Sequence, residues 1–253
     1  MRAPAVMLRL GLAAAIGGVA LLADARAPEP DDNLLKNSSF EDGDAPWWSF
    51  HDRSPDTWGA FTLTDQQAHA GNRSARLAVD PGEATGAARV WGVVQEVKAD
   101  RCPEYLSGWY RVEGWQRGTK KQYLQAVVIV WNPKVMPEGV HAGNYQVACT
   151  LAGVDESPLP HVVNRKFIVT GPVEPVQGEW VFFELDLSKA FEEQWGIRPE
   201  GFEYLRVFFE ARYDDRAAGE QPRATVYYDD LYLGDHSRAD EAATTHEAST
   251  PDD

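Results

Sequence analysis

The chain predicts an all-β sandwich, and three observations carry that prediction. Nine segments are rich in β-branched and aromatic residues or alternate apolar with polar, and Gly, Pro and Asp turns separate them. Helical periodicity is almost absent. The length of 253 residues, 43% of them hydrophobic and nine of them Trp, supplies one sizeable core.

In order, the predicted strands are Trp58 to Thr64, Ser74 to Val79, Ala88 to Val97, Tyr105 to Glu113, Tyr123 to Trp131, Lys166 to Val169, Trp180 to Leu187, Tyr204 to Tyr213 and Ala224 to Leu233. One helical turn fits Ser188 to Gln194, with Ser188 as its cap. Asn132 to Gly178 is a long insertion, of the kind that reshapes one edge of a groove. Alternation sorts two strands cleanly. Val181, Phe183, Leu185 and Leu187 share one face of their strand, and Leu205, Val207, Phe209 and Ala211 share one face of theirs.

Residues 1–25 read as a secretory signal peptide. Arg2 and Arg9 precede an apolar run, Leu10 to Ala23, that is short for a bilayer span, and small residues follow at Ala23 and Ala25. A linker over 26–32 and a disordered acidic tail over 235–253 then bracket a domain at 33–234. These features predict a secreted or periplasmic protein with no membrane span after signal removal. The formal charge of −15 and the pI near 4.8 exclude nucleic acid as a partner, because affinity for phosphates rests on clustered Lys and Arg. In an oxidising compartment the only two cysteines, Cys102 and Cys149, are expected to form a disulfide, with two separately buried thiols as the alternative.

Two end segments carry the metal expectation. NLLKNSSFEDG, Asn33 to Gly43, offers Phe40 to bury, Glu41 and Asp42 to ligate and Gly43 to turn; ATVYYDDLYLG, Ala224 to Gly234, sets Asp229 in register with Leu231 and Leu233. The two are expected as neighbouring strands. Between them, AHAGNRSARLAV at 68–79 supplies a turn. Together these stretches resemble the carbohydrate-binding modules of families four, nine and twenty-two, over most of 33–234. The resemblance implies a galactose-binding-like β-jelly roll with structural calcium and a carbohydrate ligand. Ligand chemistry agrees, since calcium takes carboxylate and carbonyl oxygens. The expected set is Glu41, Asp229 or Asp230, and carbonyls near Gly71 and Asn72, with Asp229 as the inward ligand.

The other face of Tyr204 to Tyr213 carries Tyr204, Arg206, Phe208, Glu210 and Arg212. Guanidinium and carboxylate groups alternating with a ring suit a sugar: hydroxyls take the hydrogen bonds, and the C–H face of a pyranose lies on the aromatic. Arg206, Phe208, Glu210 and Arg212, with Trp131 at the edge, are the expected ligand-binding residues. A cross-strand salt-bridge ladder covered by Phe208 is the alternative. Trp47, Trp48, Trp58 and Trp91 are expected near the surface, and Tyr105 and Trp109 in packing.

Catalysis is the second reading, because Glu184, Asp186, Glu210 and Asp214 could pair as glycosidase or lyase carboxylates. No G-x-S-x-G or H-E-x-x-H motif is present, and the six His show no metal-ligand spacing. A cell-envelope protein that binds a protein partner through the same face is the third reading. The sequence favours non-catalytic binding of polysaccharide or oligosaccharide.

Overall fold

The structure is a computed structural model that describes residues 32–80, 82, 87–118, 121–159, 162–241 and 243. The predicted signal peptide, the linker up to residue 31 and the tail beyond residue 243 lie outside these residues, as do His161 and His246. Eleven strands and one helix follow in order: β1 (Trp58–Gly59), β2 (Thr62–Thr64), β3 (Ser74–Val79), β4 (Arg89–Val97), β5 (Tyr105–Gln116), β6 (Lys121–Trp131), β7 (Asn144–Ala152), β8 (Arg165–Val169), β9 (Trp180–Asp186), α1 (Leu187–Trp195), β10 (Tyr204–Asp214) and β11 (Arg223–Gly234). They build a β-sandwich jelly roll from a six-stranded sheet, β1-β4-β10-β6-β7-β8, and a five-stranded sheet, β2-β3-β11-β5-β9. Among the described residues no helix is long and apolar enough to cross a membrane.

The core between the sheets is set by alternation. Leu205, Val207, Phe209 and Ala211 of β10 are buried in it, facing Phe183, Leu185 and Tyr228 from the other sheet. The five-stranded sheet is antiparallel throughout, whereas the six-stranded one holds two parallel pairs, β1 with β4 and β8 with β7. The predicted strand at 58–64 divides between the two sheets. Gly59 permits the step, because a Cβ there would lie 2.0 Å from the Trp91 indole.

The insertion at 132–178 is part of the sheet rather than a loop at its edge. It contributes β7 and β8, and Tyr145, Val147, Cys149 and Leu151 of β7 reach the core. Because β7 and β8 are parallel neighbours, the connection between them must return along a strand. The helix is capped by Asp186, not Ser188: the Asp186 side chain accepts from Lys189 N at 2.9 Å, and Gly196 closes the other end at φ 71°.

Four further expectations are corrected. Cys102 and Cys149 are free thiols, both buried, the first beside Ser188 and the second with Sγ 3.4 Å from Thr170 Oγ1. Burial pushes the Cys102 thiol up to about 12. Trp47 and Trp91 are core residues rather than surface ones. Asp229 does not share a face with Leu231 and Leu233. The β5–β11 register shifts between Asp229 and Tyr232, with Asp230 at φ 49°. That bulge resets the alternation: Tyr228, Leu231 and Leu233 enter the core, while Asp229 pairs with Trp109 on the outer side.

Last, the chain past Gly234 is not wholly disordered. Ser237 Oγ donates to Glu184 Oε1 and Arg238 N to Glu184 Oε2, both at 2.6 Å.

Candidate functional site

The expected ligand face exists as a face. β10 lies centrally in the six-stranded sheet, and Tyr204, Arg206, Phe208, Glu210, Arg212 and Asp214 alternate on its outer side. The register sets Arg206 between Glu96 and Ile129, Phe208 between Val94 and Val127, and Tyr204 opposite Trp131.

Along β10 this face changes character. At its start, half-exposed rings gather around the Arg206 guanidinium. Its Cζ lies 4.9 Å from the Trp131 ring centre, 5.6 Å from Trp48, and 5.7 Å from both Phe50 and Tyr204. Trp131 and Tyr204 stack across the strands with centroids 5.8 Å apart. Arg206 Nε and Nη2 both donate to Glu96 Oε1, at 3.1 and 2.6 Å. Trp48 and Phe50 belong to the segment before β1, which is tied to β4 by a bridge between Trp48 and Val94.

Phe208 is different, being only 5% exposed. Its ring is parallel to Phe50 at 6.1 Å and lies 6.3 Å from Trp58. With Val94, Val127, Ile129 and Ala148 it forms a second small hydrophobic cluster outside the main core. Phe208 thus packs beneath the rings instead of presenting itself to a ligand, because the segment carrying Trp48, Phe50 and Trp58 folds over it.

Glu210 and Arg212 are also covered, and they belong to a buried polar network. Gln125 Nε2 donates to Glu210, Arg212 Nη2 donates to Asp214 Oδ1 at 2.8 Å, and the Tyr123 hydroxyl donates to Asp214 Oδ2 at 2.8 Å. Burial pushes the Tyr123 hydroxyl well above its ordinary range. The ion pairs run along β10 itself, from Arg212 to Glu210 and Asp214, and the links to β6 are the neutral donors Gln125 and Tyr123, so this network stands where the cross-strand salt-bridge ladder was the alternative. Of the five predicted ligand residues, the structure brings Arg206 and Trp131 to an accessible site. Trp48, Phe50, Tyr204 and Glu96 join them; loop aromatics two residues apart were the only signal for the first pair.

The metal set converges on one turn. Glu41 Oε1 accepts from Asn72 N and Arg73 N at 2.9 and 2.8 Å. Gly71 is required there: its φ is +67°, and a Cβ would lie 2.7 Å from the Glu41 carboxylate. At the other end of the turn, Asp229 Oδ2 accepts from His69 N at 2.6 Å and Ala70 N at 3.0 Å, while Oδ1 accepts from Asp230 N at 2.7 Å. Burial holds the Asp229 carboxyl up at about 8, against the pull of those three N–H groups. Asp230 Oδ2 is held by Arg238 Nη2 at 2.9 Å and lies 3.5 Å from His69 Nδ1 of the same turn. Among the described residues no three His, Cys, Asp or Glu cluster as a metal group, and no Lys or Arg lies within ion-pair distance of Asp229. What the turn presents to Glu41 and Asp229 is backbone N–H; carboxylate oxygens are among the ligands calcium takes, and a cation would complement the buried acid of Asp229.

The four carboxylates considered for catalysis do not gather. Glu184 and Asp186 lie on the outer side of the five-stranded sheet, Glu210 and Asp214 on that of the six-stranded one. Each is already held by hydrogen bonds within the chain.

No protein-family model matches the chain, and no curated protein does either. Solved structures do align with it at low identity. One is TmCBM61 in complex with β-1,4-galactotriose, 14% identical, covering 81% of this chain and 99% of that one at a TM-score of 0.42. Another is a non-crystalline-cellulose-specific carbohydrate-binding module, CBM28, 15% identical over 81% and 97% at 0.39. A third is the family 30 carbohydrate-binding module of the cellulosomal cellulase Cel9D-Cel44B of Clostridium thermocellum, 12% identical over 70% and 83% at 0.37.

Proposed function

We propose that this protein is a secreted, non-catalytic carbohydrate-binding protein that holds a polysaccharide or oligosaccharide on the outer face of its six-stranded sheet. One observation carries the reading: four half-exposed rings, Trp48, Phe50, Trp131 and Tyr204, converge on the hydrogen-bonding pair Arg206 and Glu96. Such a surface offers ring area to the apolar side of a pyranose and directed donors and acceptors to its hydroxyls. A structural calcium beside Glu41 and Asp229 belongs to the same proposal, as does export by the N-terminal segment.

Affinity electrophoresis against neutral glucans, xylans, mannans and galactans tests the binding reading. The protein should be retarded by at least one of them, and Trp131→Ala and Arg206→Ala should each weaken that retardation at least tenfold. Migration unaffected by every neutral glycan, or retardation that neither substitution changes, would discard this face as the site. Release of reducing ends would instead establish catalysis.

A further inference from the structure

We propose that Arg165 and Phe167, on the edge strand β8, form a second glycan subsite on the outer face of the six-stranded sheet, so that the ligand is an extended chain lying across the strands. This subsite rests on the glycan reading of that face and lengthens it. The register draws the path: Glu96 stands opposite Arg206, Arg206 opposite Ile129, Ile129 opposite Gln146, and Gln146 opposite Arg165, one row over five strands. With neighbouring strands about 4.8 Å apart, β8 lies about 14 Å from β10. A single pyranose cannot bridge that distance.

The two ends of the row are built alike. At β10 the Arg206 guanidinium lies 4.9 Å from the Trp131 ring centre and donates to the Glu96 carboxylate. At β8 the Arg165 guanidinium lies 5.8 Å from the Phe167 ring centre, and its Nε donates to Gln146 Oε1 at 2.9 Å. Among the described residues that is the one hydrogen bond this guanidinium makes, and no carboxylate lies within ion-pair distance of it. Glu210, Asp214 and Arg212 act on it only through longer-range charge. Its remaining N–H groups are donors suited to sugar hydroxyls.

One apolar floor joins the two ends. The small cluster around Phe208 carries the rings of Trp48, Phe50, Trp58 and Trp131, and it carries Phe167 as well. Alternation fixes the side: Ile168 packs on the main core, while Arg165 and Phe167, both half-buried, take the opposite face. Half-exposed rings therefore run from the segment before β1 to β8 at the far edge of the sheet. Rings take the C–H faces of successive sugars, and a chain held at one end meets the other contact as an intramolecular one.

Isothermal titration of the full chain with the disaccharides and hexasaccharides of the glucan, xylan, mannan and galactan series tests the subsite. In at least one series the hexasaccharide should bind the more tightly. Arg165→Gln and Phe167→Ala should each weaken the hexasaccharide about tenfold, as loss of one of two linked contacts does, and leave the disaccharide unchanged. Arg206→Ala should weaken both lengths. If Phe167→Ala fails to fold, Arg165→Gln alone decides. Hexasaccharide binding that Arg165→Gln leaves intact, or a disaccharide weakened as much as the hexasaccharide, would overturn the second subsite; the glycan face would still stand if Arg206→Ala weakened binding. Binding in none of the four series would overturn the subsite and the face together.

Discussion

The Asp229 carboxylate accepts the backbone N–H of His69 at 2.6 Å, joining residues 160 positions apart in the chain. The same oxygen takes Ala70 N, so a fully buried acid on β11 fixes the turn that Glu41 holds from its other end. Burial raises this acid to about 8, whereas an unfolded Asp titrates near 3.9.

A pH dependence follows from that difference. Between roughly pH 4 and pH 8 the unfolded chain has released the proton and the folded chain keeps it, so the folded state binds more protons. Stability should therefore fall as pH rises through this window, by at most about 1.4 kcal/mol per pH unit from this group. Urea unfolding of wild type and Asp229→Asn at several pH values, with chelator present, should show a slope that the variant flattens. Equal slopes would mean that Asp229 is ionised in the folded protein throughout.

Calcium should act on the same group. An ion bound only by the folded state adds about 2.7 kcal/mol at a hundred times its Kd, and it should keep Asp229 ionised and so remove the pH slope. Melting curves in calcium should lie above those in chelator. Glu41→Gln and Asp229→Asn should abolish the difference, and Asp230→Asn should preserve it, since Asp230 is taken up by Arg238 and by the His69 ring. Identical curves with and without calcium would remove the ion from the proposal.

The core was legible because alternation is a local signal: each inward residue of β10 is identified by its neighbours. The bulge at Asp230 was not, since a positive φ at a non-glycine residue inverts every later side chain without marking the sequence. The face of Arg206 followed from periodicity, but its accessibility did not. Whether Phe208 meets solvent depends on where residues 47 to 58 fold, a long-range matter. β7 did carry a signal, in Tyr145, Val147, Cys149 and Leu151, which the surrounding Pro and Gly residues masked.

Phe208 is accordingly a folding residue. Truncating a buried Phe costs about 3 to 5 kcal/mol, which in a domain of this size lowers Tm by roughly 6 to 20 °C. Phe208→Ala should show that loss in urea unfolding, because Phe50 and Trp58 cannot fill the space beneath them without leaving β4. A cost under about 1 kcal/mol would show that the second cluster is loosely packed.

Glu96 should affect binding and leave folding nearly unchanged. It is 44% exposed, so its pair with Arg206 contributes under about 1 kcal/mol to stability. Its oxygen nevertheless receives both Nε and Nη2, fixing which edge of the guanidinium remains for a ligand. Glu96→Gln should therefore keep the melting temperature and weaken glycan retardation several-fold, and Arg206→Lys should do the same, since an ammonium cannot reproduce the planar fork between the rings. If Glu96→Gln binds as wild type while Arg206→Ala does not, the guanidinium is oriented by its four aromatic neighbours alone, and the carboxylate is a surface counterion.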